Sequence, residues 1–481
     1  MRVKTVQINW HDKLPIFSVD FDHSYSGTGW RFATGGGDNN VRIWRLRTPQ
    51  ERETDAQSPA VEFLASLNRH TAPVNVVRFA PGGSRLASAG DDGVIIIWRQ
   101  VAEVAGEDIE AWRPAAMLRG SLADICDLAW SPCGGFIVSA SVDNTARIWD
   151  AREARCLQVL ADHTHYVQGV AWDPRGEFLV TQSSDRSVRM YRWLGAAKAA
   201  ARPGSEIAMP LAAHYSMPRL DTDAGVMEAN GEDSAREDSG DTKDADLQGM
   251  DVDSAQHKPA IRKTQRLFHD DNLASFFRRP SISPDGRLVT TAAGIQRDRA
   301  SRNTCYVWAR DHLQAAPLLT LGGHTKPVVA SRWAPCTFAP RESSTSTPWV
   351  DLQEPCRMML AVASQNAVAL YDTSAGAHAV GLMSGLHYAA ITDIAWCKDG
   401  SHLIIASIDG FASIASIEQP TEPVYVPGNE ASAESAAGAQ EQPQANSGLT
   451  EAVAATAEVA SAEAARNKGK KRLAPTFIST L

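Results

Sequence analysis

Apolar and polar residues alternate along most of this chain in short runs, each closed off by Gly, Pro, Asn or Asp. That period-two pattern predicts half-buried strands joined by tight turns. The clearest stretch is residues 70–98, HTAPVNVVRFAPGGSRLASAGDDGVIIIW. A His opens it, followed by an alternating run, a Pro-Gly-Gly turn at 81–83 and a second strand. Asp92 then sits in a tight turn, and a β-branched run ends in Trp98. His70 to Asp92 is twenty-two positions, and Asp92 to Trp98 is six. The same steps return from His163 to Asp185 and on to Tyr191, and from Ser121 to Asp143 and on to Trp149.

Self-similarity at this period predicts an all-β fold, a seven-bladed WD40 β-propeller. Repeat one runs from His11 through Thr34 to Asp38 and Trp44, and repeats two to four carry the stretches above. Repeat five is degenerate, and its turn is read as a longer polar one at 294–303. Repeat six has His324, with Gln365 in the Asp slot and Tyr371 in the Trp slot. Repeat seven has His387 and Asp409. Residues 2–9 form a spare strand, expected to complete the last blade and so close the ring without open edges. The propeller is assigned to residues 1–418 and a low-complexity tail to 419–481. An insert at 195–260 is read as disordered, because dense like charge with few aromatics leaves too little apolar surface to offset ordering entropy.

Composition changes this picture in one place. The net charge of −9 is local: residues 221–253 hold twelve acidic and two basic residues, leaving about +1 for the rest. The acidic segment reads either as a solvated spacer or as a mimic of nucleic-acid charge that attracts very basic partners. No run of eighteen apolar residues occurs, so no membrane-spanning helix is expected. Seven scattered Cys without a C-x-x-C pair read as reduced intracellular thiols.

The recurring polar sets are candidate chemistry at first sight. They are His70/Ser88/Asp92/Trp98, Thr34/Asp38/Trp44, Ser139/Asp143/Trp149 and His163/Thr181/Asp185. A Ser/His/Asp group invites a hydrolase reading, but an enzyme needs one site and these recur blade after blade. They are read as structural tetrads whose buried polar groups satisfy each other. Gly35-Gly36-Gly37-Asp38 is read as a hairpin turn, since no helix follows to receive a phosphate. His163 and His165 beside Asp162 lack zinc-ligand spacing. No catalytic, cofactor or metal residue is expected.

The tail ends with Lys468, Lys470, Lys471 and Arg472, then Leu473-Ala474-Pro475-Thr476 and Phe477-Ile478. Basic residues beside apolar ones suit a nuclear-import signal or a peptide that adds as a strand to a partner's sheet.

Three stretches are more specific than a generic propeller: VQINWHDKLPIFSVDF with FATGGGDNNVRIW, residues 61–98, and RLFHDDNLASFFRRPSISPDGRLV at 266–289. With MLAVASQNAVALYDT and HYAAITDIAWCKDGSHLIIASIDG they make the chain resemble the WD40 middle subunit of chromatin assembly factor 1. The resemblance implies a nuclear, non-enzymatic histone chaperone subunit. Its implied partners are the largest and smallest subunits of that complex, histones H3–H4 and the anti-silencing-function chaperone. Contact with a membrane, or sequence-specific contact with nucleic acid, is not implied. Lys470, Lys471, Arg472, Leu473, Ala474, Pro475 and Thr476 fit the family's tail motif for the anti-silencing chaperone. Phe276, Phe277, Arg278 and Arg279 are a candidate complex contact or, equally, a core strand. The alternatives are a replication-independent histone regulator, which shares the H-x-x-x-P-I-F-S-V-D pattern, and a ubiquitin-ligase substrate receptor.

Overall fold

In the computed structural model, residues 1–417 and 423–424 are described, apart from 55–58, 103–107, 122, 196–207, 211–219, 222–263, 298–300, 313–315, 340–348 and 350–355. Seven antiparallel four-stranded sheets follow one another as blades. Strand β1 (Arg2–Val6) stands apart from the strands that follow it. Blade one is β2 (Ile16–Phe21), β3 (Trp30–Gly36), β4 (Asn40–Leu46) and β5 (Val61–Asn68). Blade seven takes three strands from the far end of the chain, and β1 is its fourth, paired from Arg2↔Ser416 to Val6↔Ala412. The Thr5 and Ser413 hydroxyls add a 2.8 Å hydrogen bond across that seam. The ring closes as its spacing predicts.

Both faces of every blade are apolar, so each blade is buried only by its neighbours. Phe21, Phe32 and Trp44 of blade one pack on Cys397, Ile404 and Ile414 of blade seven. The opposite face, with Ile43, Ala65 and Leu67, packs on Val74, Val77 and Trp98 of blade two.

Four local readings change. Residues 294–303 do not form a polar loop: Leu288–Arg297 and Ser301–Ala309 make one long hairpin with Gly294 opposite Thr304. Blade four draws its outer strand, Ala208–Pro210, from inside the segment assigned to the insert. Past the expected end of the propeller, Pro423–Val424 pairs with Thr337–Phe338. Gly35 and Gly36 belong to β3, opposite Ser18 and Ile16, and only the residues after them turn. A Cβ on Gly36 would lie 2.6 Å from the His11 ring, so glycine is needed there for the tetrad to close. The remainder of the insert, and the tail from 425 onward, lie outside the described residues.

Candidate interaction platform: tetrads, channel hub and outer surfaces

The tetrads are relays of hydrogen bonds from a surface turn to the blade interior. In blade one the Trp44 indole donates to Thr34 Oγ1 (2.9 Å), and Thr34 lies 2.8 Å from His11 Nε2. His11 Nδ1 meets Asp38 at 2.6 Å. Burial holds the His11 imidazole below its ordinary pKa against the raising pull of Asp38, which makes the neutral ring the working form. Blade two repeats the relay, with Trp98 to Ser88 at 2.8 Å, Ser88 to His70 at 2.7 Å and His70 to Asp92 at 2.8 Å. Blade four keeps His163–Thr181 (2.7 Å) and His163–Asp185 (2.9 Å), but Tyr191 donates to Asp162 instead.

Other blades are incomplete in ways the spacing hid. In blade three Trp149 still donates to Ser139 (2.9 Å), whereas Ser121 bonds Ser141 and the Ala123 carbonyl. Its side chain is too short for the His role, and Asp143 pairs with Arg147 and Thr145. Blade five holds two separate pairs that sequence spacing did not reveal. His269 reaches Asn303 (2.9 Å) and Trp308 donates to Thr291 (3.0 Å), because the long hairpin displaces the turn. In blade six Gln365 donates to the Ala274 carbonyl (2.7 Å), which ties that turn to the 266–279 stretch. In blade seven His387 contacts Asp409 at 3.1 Å, but its buried Nε2 has no hydrogen-bond partner among the described residues. Ile405 and Ala415 stand at the positions that hold Ser88 and Trp98 in blade two.

Asp92 illustrates the energetics. Burial raises its pKa, but the His70 hydrogen bond and charge and the Val94 and Thr71 amides outweigh that, so its carboxyl is held below the usual value. A folded-state pKa below the unfolded one gives stability that is present above about pH 4 and lost as pH falls through the folded value. Asp92→Asn is therefore expected to lower unfolding free energy near neutral pH by about 1.5–3 kcal/mol, the worth of a charge-assisted bond. The variant should also lose less stability than the parent between pH 4 and 2. Asp143→Asn should act in the same direction through Arg147. Urea denaturation across pH checks both, and unchanged midpoints in the two variants would refute the relay.

At the centre lies a feature with no counterpart in the repeat pattern. In six blades the innermost pair carries a β-bulge at its start, at Ile16/Ser18, Val74/Val76, Ile125/Asp127, Val167/Gly169, Val328/Ala330 and Ile391/Asp393. A bulge leaves its extra residue out of the ladder, so that residue's carbonyl needs another donor. Arg278 and Arg279 supply donors to five blades. The Arg279 guanidinium donates to the carbonyls of Phe17 (3.2 Å), Thr392 (3.0 Å) and Asn75 (2.8 Å). The Arg279 amide donates to Val329 (2.9 Å), and the Arg278 amide to Gln168 (3.2 Å). Gly169 lets this segment approach: a Cβ there would sit 2.0 Å from the Arg278 carbonyl oxygen.

Three guanidinium groups face two carboxylates within the same hub. Asp393 meets Arg279 (2.8 Å), Arg78 (2.9 Å) and Arg332 (3.3 Å), while Asp127 faces Arg78 (3.2 Å) and Arg279 (3.5 Å). Burial would raise the Asp393 carboxyl, but the three guanidinium groups hold it far below the ordinary range. Burial lowers Arg279 to about 10, which leaves it ionised at neutral pH. Phe277 lies beneath, with the Arg279 guanidinium 4.0 Å from its ring centre.

Likeness to known proteins runs through the same ring. The family model for the CAF1B/HIR1 beta-propeller domain matches residues 1–216 and 240–421. The CAF1B protein of chromatin assembly factor 1 from Schizosaccharomyces pombe is 35% identical over 463 residues, 87% of this chain and 88% of that protein. The chromatin assembly factor 1 subunit FAS2 homolog of Oryza sativa is 35% identical over 419 residues, 87% of this chain and 73% of that protein.

The chain belongs to the CAF1B family of chromatin assembly factor 1 propellers.

Protein HIRA of Zea mays is 40% identical, but over 158 residues that make up 31% of this chain and 16% of that protein. That alignment covers part of the ring, whereas the chromatin assembly factor 1 relatives align over most of it. In this CAF1B propeller the 266–279 stretch divides by burial. Phe277, Arg278 and Arg279 lie inside, with the two arginines wholly inaccessible, and only Phe276 is exposed, at 37%. Of the two readings of Phe276–Arg279, the core role describes the last three, and an outside partner has access to Phe276 alone. The tail residues Lys470–Thr476 lie outside the described residues. His165 bonds Ser184, and no cluster of His, Cys, Asp or Glu suited to a metal occurs among the described residues.

Proposed function

We propose that this chain is the non-enzymatic scaffold subunit of a chromatin assembly factor 1 complex. It joins the largest and smallest subunits and helps place histones H3–H4 on newly replicated DNA in the nucleus. The observation that carries this reading is the extent of the likeness, which spans the whole ring and includes the stretch that builds the hub. A supporting argument comes from chemistry: the recurring polar groups are engaged in tetrads and bulge carbonyls, so they are committed to holding a surface in shape. The acidic residues of the insert suit a basic partner such as a histone, because like charge at that density raises the local concentration of cations. The tail residues Lys470–Thr476 carry contact with the anti-silencing-function chaperone, with Leu473 as apolar anchor and Lys471 and Arg472 as charged flanks.

Affinity purification of the tagged full chain from nuclei tests the complex. Recovery of assembly-factor subunits with H3–H4 is the expected result, and recovery of ubiquitin-ligase adaptors in their place would overturn it. Truncation before Asn467 is expected to abolish binding to the anti-silencing chaperone while the unfolding midpoint stays fixed. Affinity retained in the truncated chain would remove the tail assignment.

A further inference from the structure

Beside the link that leads from β1 into blade one lies an open groove of about 520 Å³. Its walls are Ile8 and Asp12 from that link, Trp44 from β4, and Val61 and Phe63 from β5. The link covers this outer side of blade one only in part. Phe63 lies on β5 opposite Trp44, their ring centres 5.4 Å apart, yet Phe63 stays 37% exposed while Trp44 is buried beneath it. An aromatic ring half in water over an apolar floor loses transfer free energy that a further apolar group would recover.

The most exposed charge at the groove is a carboxylate. The Asp12 side chain is 60% exposed, whereas Glu62, 25% exposed, is engaged by Arg45 (2.8 Å) and Arg47 (3.8 Å). Arg42 on the floor is 12% exposed, and its guanidinium is occupied by Asp12 (3.1 Å), Asp38 (2.8 Å) and the Asn9 and Trp10 carbonyls. A cation brought to the mouth would meet a carboxylate, and an anion would not meet an available guanidinium. β5 is also the outermost strand of its sheet, and that edge is already partly occupied. The Ile109 and Glu110 amides approach that edge, both bonding the Leu64 carbonyl.

We propose that this groove is a docking site for an extended segment of a partner protein. The segment places a bulky apolar side chain between Ile8, Trp44 and Phe63 and a lysine or arginine beside Asp12. An apolar anchor seated in a hydrophobic groove with a charged flank beside it is a recurring mode of peptide capture. Only the choice of a protein as occupant rests on the scaffold reading above.

The test uses the purified full chain and synthetic peptides, so its failure would leave membership of the complex untouched. A short fluorescein-labelled peptide with a Leu-Phe pair flanked by lysines is titrated by anisotropy. Two controls replace the lysines by aspartates or the Leu-Phe pair by serines. The lysine-flanked peptide should bind at least about tenfold more tightly than either control, a difference of about 1.4 kcal/mol. Phe63→Ser should weaken it by a similar factor. Asp12→Asn, which keeps a residue tolerant of the positive φ found there, should erase the preference for lysine over aspartate. Unfolding midpoints of both variants establish that the ring is intact. A destabilised Phe63→Ser is replaced by Ser66→Trp, which fills the groove from its other wall and should equally block binding. Equal affinity for the three peptides, no binding, or binding unaffected by the variants overturns the site. A dimer by sedimentation that Phe63→Ser dissolves would also overturn it, by making a second copy of this chain the occupant.

Discussion

Arg279→Met is expected to lower the unfolding free energy of the ring by about 3–5 kcal/mol, the typical loss when one member of a buried ion-paired set is removed. The substitution keeps length and apolar bulk over Phe277 but strips donors from the Phe17, Thr392 and Asn75 carbonyls and a cation from Asp393. Each carbonyl is left buried without the partner that offset its desolvation, and of its three cations Asp393 keeps Arg78 and Arg332. Arg279→Lys should recover less than half of the loss. An ammonium is a compact point charge, whereas the planar guanidinium reaches several blades at once. Equilibrium urea denaturation gives both values. A change below about 1 kcal/mol in the two variants would show that water replaces the hub and that the five-blade contact is incidental.

Deleting residues 1–6 is the second large effect. Without β1 the strand Ala412–Ser416 becomes an open edge, and open edges of this length pair with other chains. The Trp10 indole also loses the Val6 carbonyl it donates to at 3.0 Å, on the wall of the blade seven–blade one core. The expected outcome is a fall in the thermal midpoint of about 5 °C, since a kcal/mol shifts the midpoint by roughly 2–4 °C in chains of about 150–250 residues and by less in a longer one. Concentration-dependent aggregation should accompany it in light scattering. A synthetic peptide of residues 1–9 added in trans should restore the midpoint. A truncated chain that stays monomeric at its original midpoint would show that blade seven is complete with three strands.

How much of this was legible in the residues depended on how far each interaction reaches along the chain. His70, Ser88, Asp92 and Trp98 lie within one repeat, and their relay depends only on spacings that the sequence prints directly. The failed cases share a cause. Ser121 stands at the right number but cannot span the distance of an imidazole, so spacing alone misassigned it. His269 and Asn303 meet although the hairpin between them is longer than in any other repeat, and no fixed spacing finds them. The outer strand Ala208–Pro210 sits in a Pro- and Ala-rich stretch with no alternation, and it pairs because the neighbouring strand offers an edge.

By itself the sequence determined the blade count, the closing role of its first strand, the identity of the complete tetrads and the family. All of these are written in local periodicity, in short-range spacing or in whole-chain likeness. Only the tertiary structure decided that Arg278 and Arg279 are the hub. Carbonyls left over at the channel come from blades far apart in the chain, and a single segment serves five blades only once the ring has brought them together. The groove above Trp44 is likewise a tertiary feature. Its walls come from residues 8–12 and 42–66, which meet only when the link after β1 folds over blade one.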